Sequence, residues 1–120
     1  MTAFHSTIGT LIVIGYIVVL ALNIRAAMGR PVPSWQRPVS FGAAFLLLVQ
    51  YMLGFSLLGA DKDISGMHYI IAVLAILPVG AEHALSSKEP DSRKAGRIGA
   101  IANAVTLALV LTAYIIGQAN

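Results

Sequence analysis

The sequence predicts an all-α integral membrane protein, a four-helix up-down bundle forming a single transmembrane domain over 1–120. Two observations carry that expectation. First, 58% of the 120 residues are hydrophobic and only 11% are charged, with a mean hydropathy of +0.82. A soluble domain carries about a quarter charged residues. Second, the charges are clustered. Segments 1–24, 38–60, 64–81 and 98–120 contain no Lys, Arg, Asp or Glu, and a helix needs about 17–25 apolar residues to cross the hydrocarbon layer. Spans are therefore expected at 6–25, 39–60, 66–84 and 97–117. The chain has no cysteine, which excludes disulfides, thiolate metal sites and cysteine nucleophiles. Net charge is only +3 and the bases are confined to loops, so no nucleic-acid face is expected.

The first span has no base before its apolar run, so it is expected to be retained and not cleaved as a signal peptide. The loop after it holds Arg25, Arg30 and Arg37, with Pro31, Pro33 and Pro38 stiffening the chain around Trp35, an expected interfacial anchor. The second span carries Gln50 near its midpoint and ends in Asp61-Lys62-Asp63. The third is the shortest, with His68 near its start and Pro78 near its end. Ser86 and Glu89 then have capping-box spacing in a loop that also holds Lys88, Arg93, Lys94 and Arg97. Short connections make consecutive helices antiparallel. Loops 25–38 and 82–97 thus share one side with seven Lys/Arg, against one in the remaining loop. The positive-inside rule makes those two loops cytoplasmic and sends both termini outside, as in a bacterial inner membrane protein.

Membrane helices pack through small residues and interhelical hydrogen bonds. In the last span Gly96, Gly99, Asn103, Thr106, Val110, Ala113 and Gly117 recur every three or four residues, a stripe expected to make a close helix contact. His5, Gly9, Tyr16 and Asn23 share one face of the first span. Gln50 and Asn103 are expected mainly to make structural hydrogen bonds, with a quinone or proton-path role as the lesser alternative.

The histidines are the sharpest chemical signal, and each also has a structural reading. His5 reads as an interfacial side chain, His83 as a solvated residue at the span border, and His68 as a side chain satisfied by a hydrogen bond to Tyr51, Tyr114 or a backbone carbonyl. His5 and His68 begin two helices that run the same way, so both fall in the outer half and face each other across the bundle. Histidine is an axial ligand of haem iron, and two imidazoles would fill both axial positions, with Gly9 one turn beyond His5 making room. His83 lies 15 residues after His68, about 60° round the helix and about 22 Å along it. This placement of His5, His68 and His83 resembles the two-haem membrane cytochromes b, in which paired histidines clamp one haem near each surface. It departs from them in the spacing of His68 and His83 and in having Val19 and Leu20 where the first helix would carry a second ligand. The resemblance implies haem b between His5 and His68, with Lys62 near the propionates. At His83 it implies iron ligation only with a ligand from another subunit.

Every acid is assigned to a loop or a span border (Asp61, Asp63, Glu82, Glu89 and Asp91), so proton-coupled transport through a membrane carboxylate is not expected. No catalytic residue is assigned. Two functions remain: a b-type haem electron-transfer protein, or a subunit of an oxidoreductase complex; and a cofactor-free accessory subunit of a respiratory or photosynthetic assembly. Both imply the lipid bilayer and other membrane subunits as partners.

Overall fold

The computed structural model describes residues 2–57 and 66–119. Its elements are α1 (Thr2–Ala27), α2 (Gln36–Ser56), α3 (Gly66–Leu74), α4 (Ile76–Ala81) continued by a π-helical turn (Glu82–Ser86), and α5 (Ser92–Ala119). The third span is a composite of α3, α4 and the π-turn, Gly66–Ser86. The described residues thus hold four helices long and apolar enough to cross a membrane, and no strand. They form a bundle of 49 × 21 × 21 Å. Lys62, with the rest of the loop between α2 and α3, lies outside the described residues.

The bundle is built on the contact of α1 with α5. A Cβ added at Gly96 would lie 2.5 Å from the backbone nitrogen of Ala27, and one at Gly99 would lie 2.6 Å from Cγ of Asn23. The small-residue stripe of the last span is therefore a close helix contact, as its spacing predicts. Asn103 and Thr106 are fully buried along it. α2 packs on the other flank of α1, where Gly15 meets Ala43, and the third span packs on α5. α2 and α3 make little backbone contact with each other.

Aliphatic residues and one tyrosine fill the centre: Ile8, Ile12, Tyr16, Ala43, Leu47, Ala75, Val79 and Val110. The outward residues are large and apolar, including Met52, Leu77, Ile101 and Phe45. A soluble bundle shows the reverse pattern, and this one suits a lipid solvent. Trp35 is half exposed at the start of α2, where an interfacial anchor belongs.

Local chemistry explains the helix ends. Gly29 takes φ +77° after α1, and the amides of Gly29 and Arg30 bond back to the carbonyls of Ala26 and Arg25, the pattern of a Schellman C-cap. The span break at Ala75 precedes Pro78, which lacks an N–H and crowds the carbonyl of Leu74, four residues earlier. The expected capping box does not form. The Ser86 hydroxyl instead donates to the Ala95 carbonyl at 2.7 Å. Asp91 caps α5, its Oδ1 accepting the amides of Arg93 at 3.0 Å and Lys94 at 3.4 Å. A carboxylate beside the first turn satisfies amides that have no helical partner, so α5 starts at Ser92, ahead of the expected 97.

Gly96→Ala is expected to destabilise the bundle by about 1–3 kcal/mol, because the new methyl meets rigid backbone. Gly42→Ala opens into free space inside α2 and is expected to be neutral or stabilising by about 0.5–1 kcal/mol. Thermal melts of the two variants in detergent, followed by circular dichroism, check the pair.

Candidate functional site

Two sites occupy opposite ends of the bundle. One lies at the end that carries the chain termini, the other at the end where the two Arg/Lys-rich loops meet.

At the terminal end, the first turns of α1 and α3 bring His5 and His68 together across the bundle, with ring centroids 6.3 Å apart and planes at 72°. The His68 ring and the His5 main chain are each held by a hydrogen bond to another span. His68 Nδ1 lies 2.7 Å from the carbonyl oxygen of Ala113 on α5. A carbonyl can only accept, so Nδ1 carries the hydrogen and a neutral His68 presents its lone pair at Nε2. Gly117 makes this possible, because a Cβ there would come within 3.0 Å of the His68 ring. The peptide carbonyl of His5 accepts from Gln50 Nε2 at 2.7 Å. Among the described residues, His5 Nδ1 is buried with no hydrogen-bond partner, as is Gln50 Oε1.

Around these rings lies a cavity of about 350 Å³ walled by all four spans, with His5, Gln50, Tyr51, His68, Val110 and Tyr114 among its lining residues. Its rim is tied by polar pairs that sequence spacing did not single out. Thr10 and Tyr114 share a hydrogen bond of 2.8 Å, Gln118 donates to Ser6 at 2.7 Å, and the Tyr51 hydroxyl donates to the Ala72 carbonyl at 2.5 Å. Gly9 lies on the wall. The space it spares is taken by Gln50 Nε2 and the Tyr114 ring, 3.2 and 3.3 Å from where its Cβ would be. Its smallness therefore lets α1 approach α2 and α5.

At the basic end, the structure overturns the expected place of Glu82. This residue is not at a solvated border. It is fully buried, with Oε2 accepting from Ser40 at 2.5 Å and Oε1 from Asn103 at 2.8 Å. Asn103 Oδ1 in turn accepts from Asn23 at 2.5 Å, and Asn23 Oδ1 from Gln36 at 2.9 Å. Three amides thus point their N–H groups along one chain that ends on a carboxylate. The physical reason is the π-turn, whose wider coil carries the helix on to Ser86 and leaves Glu82 facing the other spans. The argument against a membrane carboxylate therefore fails for this residue. Gln50 and Asn103 do make the structural hydrogen bonds expected of them.

His83 stands next to this layer and not near the other histidines' cavity. Its ring stacks on Phe41 with centroids 4.6 Å apart and lies 3.9 Å from Glu82 through Nε2. Both of its ring nitrogens are buried without a hydrogen bond among the described residues. Among the described residues, no three His, Cys, Asp or Glu side chains converge as they would around a bare metal ion.

Comparison with protein-family models, with curated proteins and with solved structures returns no match for this chain.

Asn103→Leu is expected to cost about 2–4 kcal/mol, since it leaves the Asn23 amide and one carboxylate oxygen of Glu82 buried without their partner. Thr112→Val, which removes only an exposed hydroxyl bonded to its own helix, is expected to stay within about 0.5 kcal/mol of the parent. Reversible unfolding in mixed micelles measures both differences.

Proposed function

We propose that the terminal-end cavity holds haem b between His5 and His68 and that the chain is a membrane electron-transfer protein or the electron-transfer subunit of an oxidoreductase complex. The observation that carries this reading is the spacing of the two rings. Metal–imidazole bonds of about 2 Å, plus roughly 1 Å from each ring nitrogen to its ring centre, separate the centroids of a bis-imidazole pair by about 6 Å. The centroids here are 6.3 Å apart.

The surrounding residues fit the same group. A metal-bound histidine typically gives its other N–H to a carbonyl or carboxylate, as His68 does to Ala113. That bond fixes the ring's tautomer and aim. Gln50 fixes the His5 backbone, and Nδ1 of His5 has no hydrogen-bond partner among the described residues. Iron carried by a macrocycle needs only two protein ligands, which suits a site where no third His, Asp or Glu converges among the described residues. When bound, the haem supplies one-electron exchange between ferric and ferrous iron. Val110, Leu47 and Ile12 give the cavity apolar walls. The weak backbone contact between α2 and α3 leaves a side approach for a lipid-soluble partner such as a quinone.

In this reading the basic end faces the cytoplasm of a bacterial inner membrane, because seven of the eight Lys/Arg side chains lie there. Lys62 is assigned to the propionates. The haem stands near the outer surface, and iron ligation at His83 is left to a site completed by another subunit. The other reading, a cofactor-free accessory subunit of a larger membrane complex, is what remains if no chromophore is found.

Protein purified from cells supplied with haem is expected to give a reduced-minus-oxidised spectrum with a sharp Soret and α-band pair. His68→Ala and His5→Ala should each lose that low-spin signature. A folded parent protein with a featureless spectrum would overturn the proposal in favour of the accessory subunit.

A further inference from the structure

At the basic end, α1 finishes in Arg25 and the chain runs on through Met28 and Gly29 to Arg30, and both arginines are exposed. Together with Ala21, Leu22, Ile24 and Met28 they line a groove of about 370 Å³ on the outside of the bundle. Ala21, Ile24, Arg25 and Met28 fall on it together because they hold the i, i+3, i+4 and i+7 positions of one helix face. The groove is therefore apolar along its length and cationic at one end. The same face continues into the membrane through Ile17 and Ile14, each about half exposed. From Ile24 to Ile14 the stripe runs about 15 Å along the helix, half of a hydrocarbon core of about 30 Å.

Nothing described in the fold neutralises the two arginines. Arg25 Nε donates to the Pro31 carbonyl at 2.6 Å, which holds the guanidinium at the turn after α1. Its two terminal nitrogens have no hydrogen bond among the described residues, and the Arg30 side chain has neither hydrogen bond nor ion pair among them. The described acids are engaged elsewhere: Glu89 with Lys94 at 3.6 Å, Asp91 with the first amides of α5, and Glu82 with Ser40 and Asn103. Arg93 adds a third guanidinium, packed against Gly29. A cation in the last turn of a helix complements the dipole, which accounts for Arg25. It does not account for Arg30, beyond the helix end.

We propose that this groove binds one anionic glycerophospholipid of the phosphatidylglycerol type, its phosphodiester held by Arg25 and Arg30 and one acyl chain laid along Ile24, Ala21, Ile17 and Ile14. Guanidinium N–H groups match phosphate oxygens in pairs. This lipid head carries no ammonium to oppose the arginines, unlike a phosphatidylcholine head. The cationic end also stands where headgroups lie, since the first span ends at Ala27 and Trp35 is half exposed at the start of α2. A soluble anion would use the arginines and leave the apolar stripe without a role. The site depends neither on haem nor on which face of the membrane the basic end meets.

The test reconstitutes the whole protein in phosphatidylcholine vesicles doped with phosphatidylglycerol that bears a photoactivatable acyl chain, or with phosphatidylcholine bearing the same chain. After illumination, peptide mass spectrometry reads the label on the 14–24 stripe. The reference is Leu77, an exposed residue about as far from the end of its span as Ile17 is. The ratio of phosphatidylglycerol to phosphatidylcholine label is expected to be about tenfold higher on the stripe than at Leu77. Arg30→Gln should lower it about fivefold without disturbing the fold, and Arg30→Glu should bring the two positions to parity. Equal ratios in the parent protein would overturn the proposal, leaving a diffuse attraction of anionic lipid to the basic end. So would an unchanged ratio in Arg30→Gln, or a stripe that neither probe labels, which means that a protein chain covers the groove. Inorganic phosphate at matched ionic strength is expected to leave the label in place, and its displacement would overturn the lipid in favour of a soluble anion.

Discussion

Where Gly96 lies against the backbone of Ala26 and Ala27, α1 and α5 approach more closely than any side chain would allow. Lipid tails are as apolar as leucine, so helices in a bilayer gain little from burying apolar area against each other. What holds them is contact at short range and the hydrogen bonds that short range permits. Gly99 shows the dependence directly, since the space of its missing Cβ is filled by Asn23. From that position Asn23 reaches Asn103, and Asn103 reaches Glu82 on the third span. Ser40 brings in α2 from the opposite side. One glycine-lined contact thus sets the distance at which all four spans can share a single polar layer.

The two ends of the bundle use that frame differently. At the basic end the spans converge, and the side-chain amides of Gln36, Asn23 and Asn103 each donate to the next group toward Glu82. At the terminal end α2 and α3 part, and the gap becomes a cavity whose polar atoms are only partly satisfied. Pro78 and the π-turn lie between the two regimes on the third span. The break at Ala75 lets α3 follow its own course past the cavity, and the wider turn at Glu82–Ser86 returns a charged side chain to the interior. A straight α-helix would carry His68 and His83 on adjoining faces. The broken one gives each histidine different neighbours: a carbonyl on α5 for His68, a phenyl ring on α2 for His83.

Much of this was legible in the residues themselves. Charge-free runs marked the four spans because a bilayer core tolerates few unpaired charges, and the small-residue stripe marked the buried face of α5 because only small side chains let two backbones meet. His5 and His68 could be paired across the bundle from helix direction alone. The rule that marked the spans also misplaced Glu82. It treats a charge as the end of a span, whereas Glu82 is inside because side chains 42 and 21 residues away accept the task of holding it. The capping box failed for a similar reason: the Ser86 hydroxyl donates to the Ala95 carbonyl on α5 and accepts no amide of its own turn.

The sequence by itself determined the solvent, the number of spans, and which face of α5 is buried, since each follows from local composition and helical period. Tertiary structure alone decided which polar groups satisfy one another. It set the carbonyl that aims His68, the glycine that admits its ring, and the enclosure of Glu82 beside His83. Hydrogen bonds between spans depend on separations of tenths of an ångström between residues far apart in the chain, and no periodicity in the sequence encodes such distances.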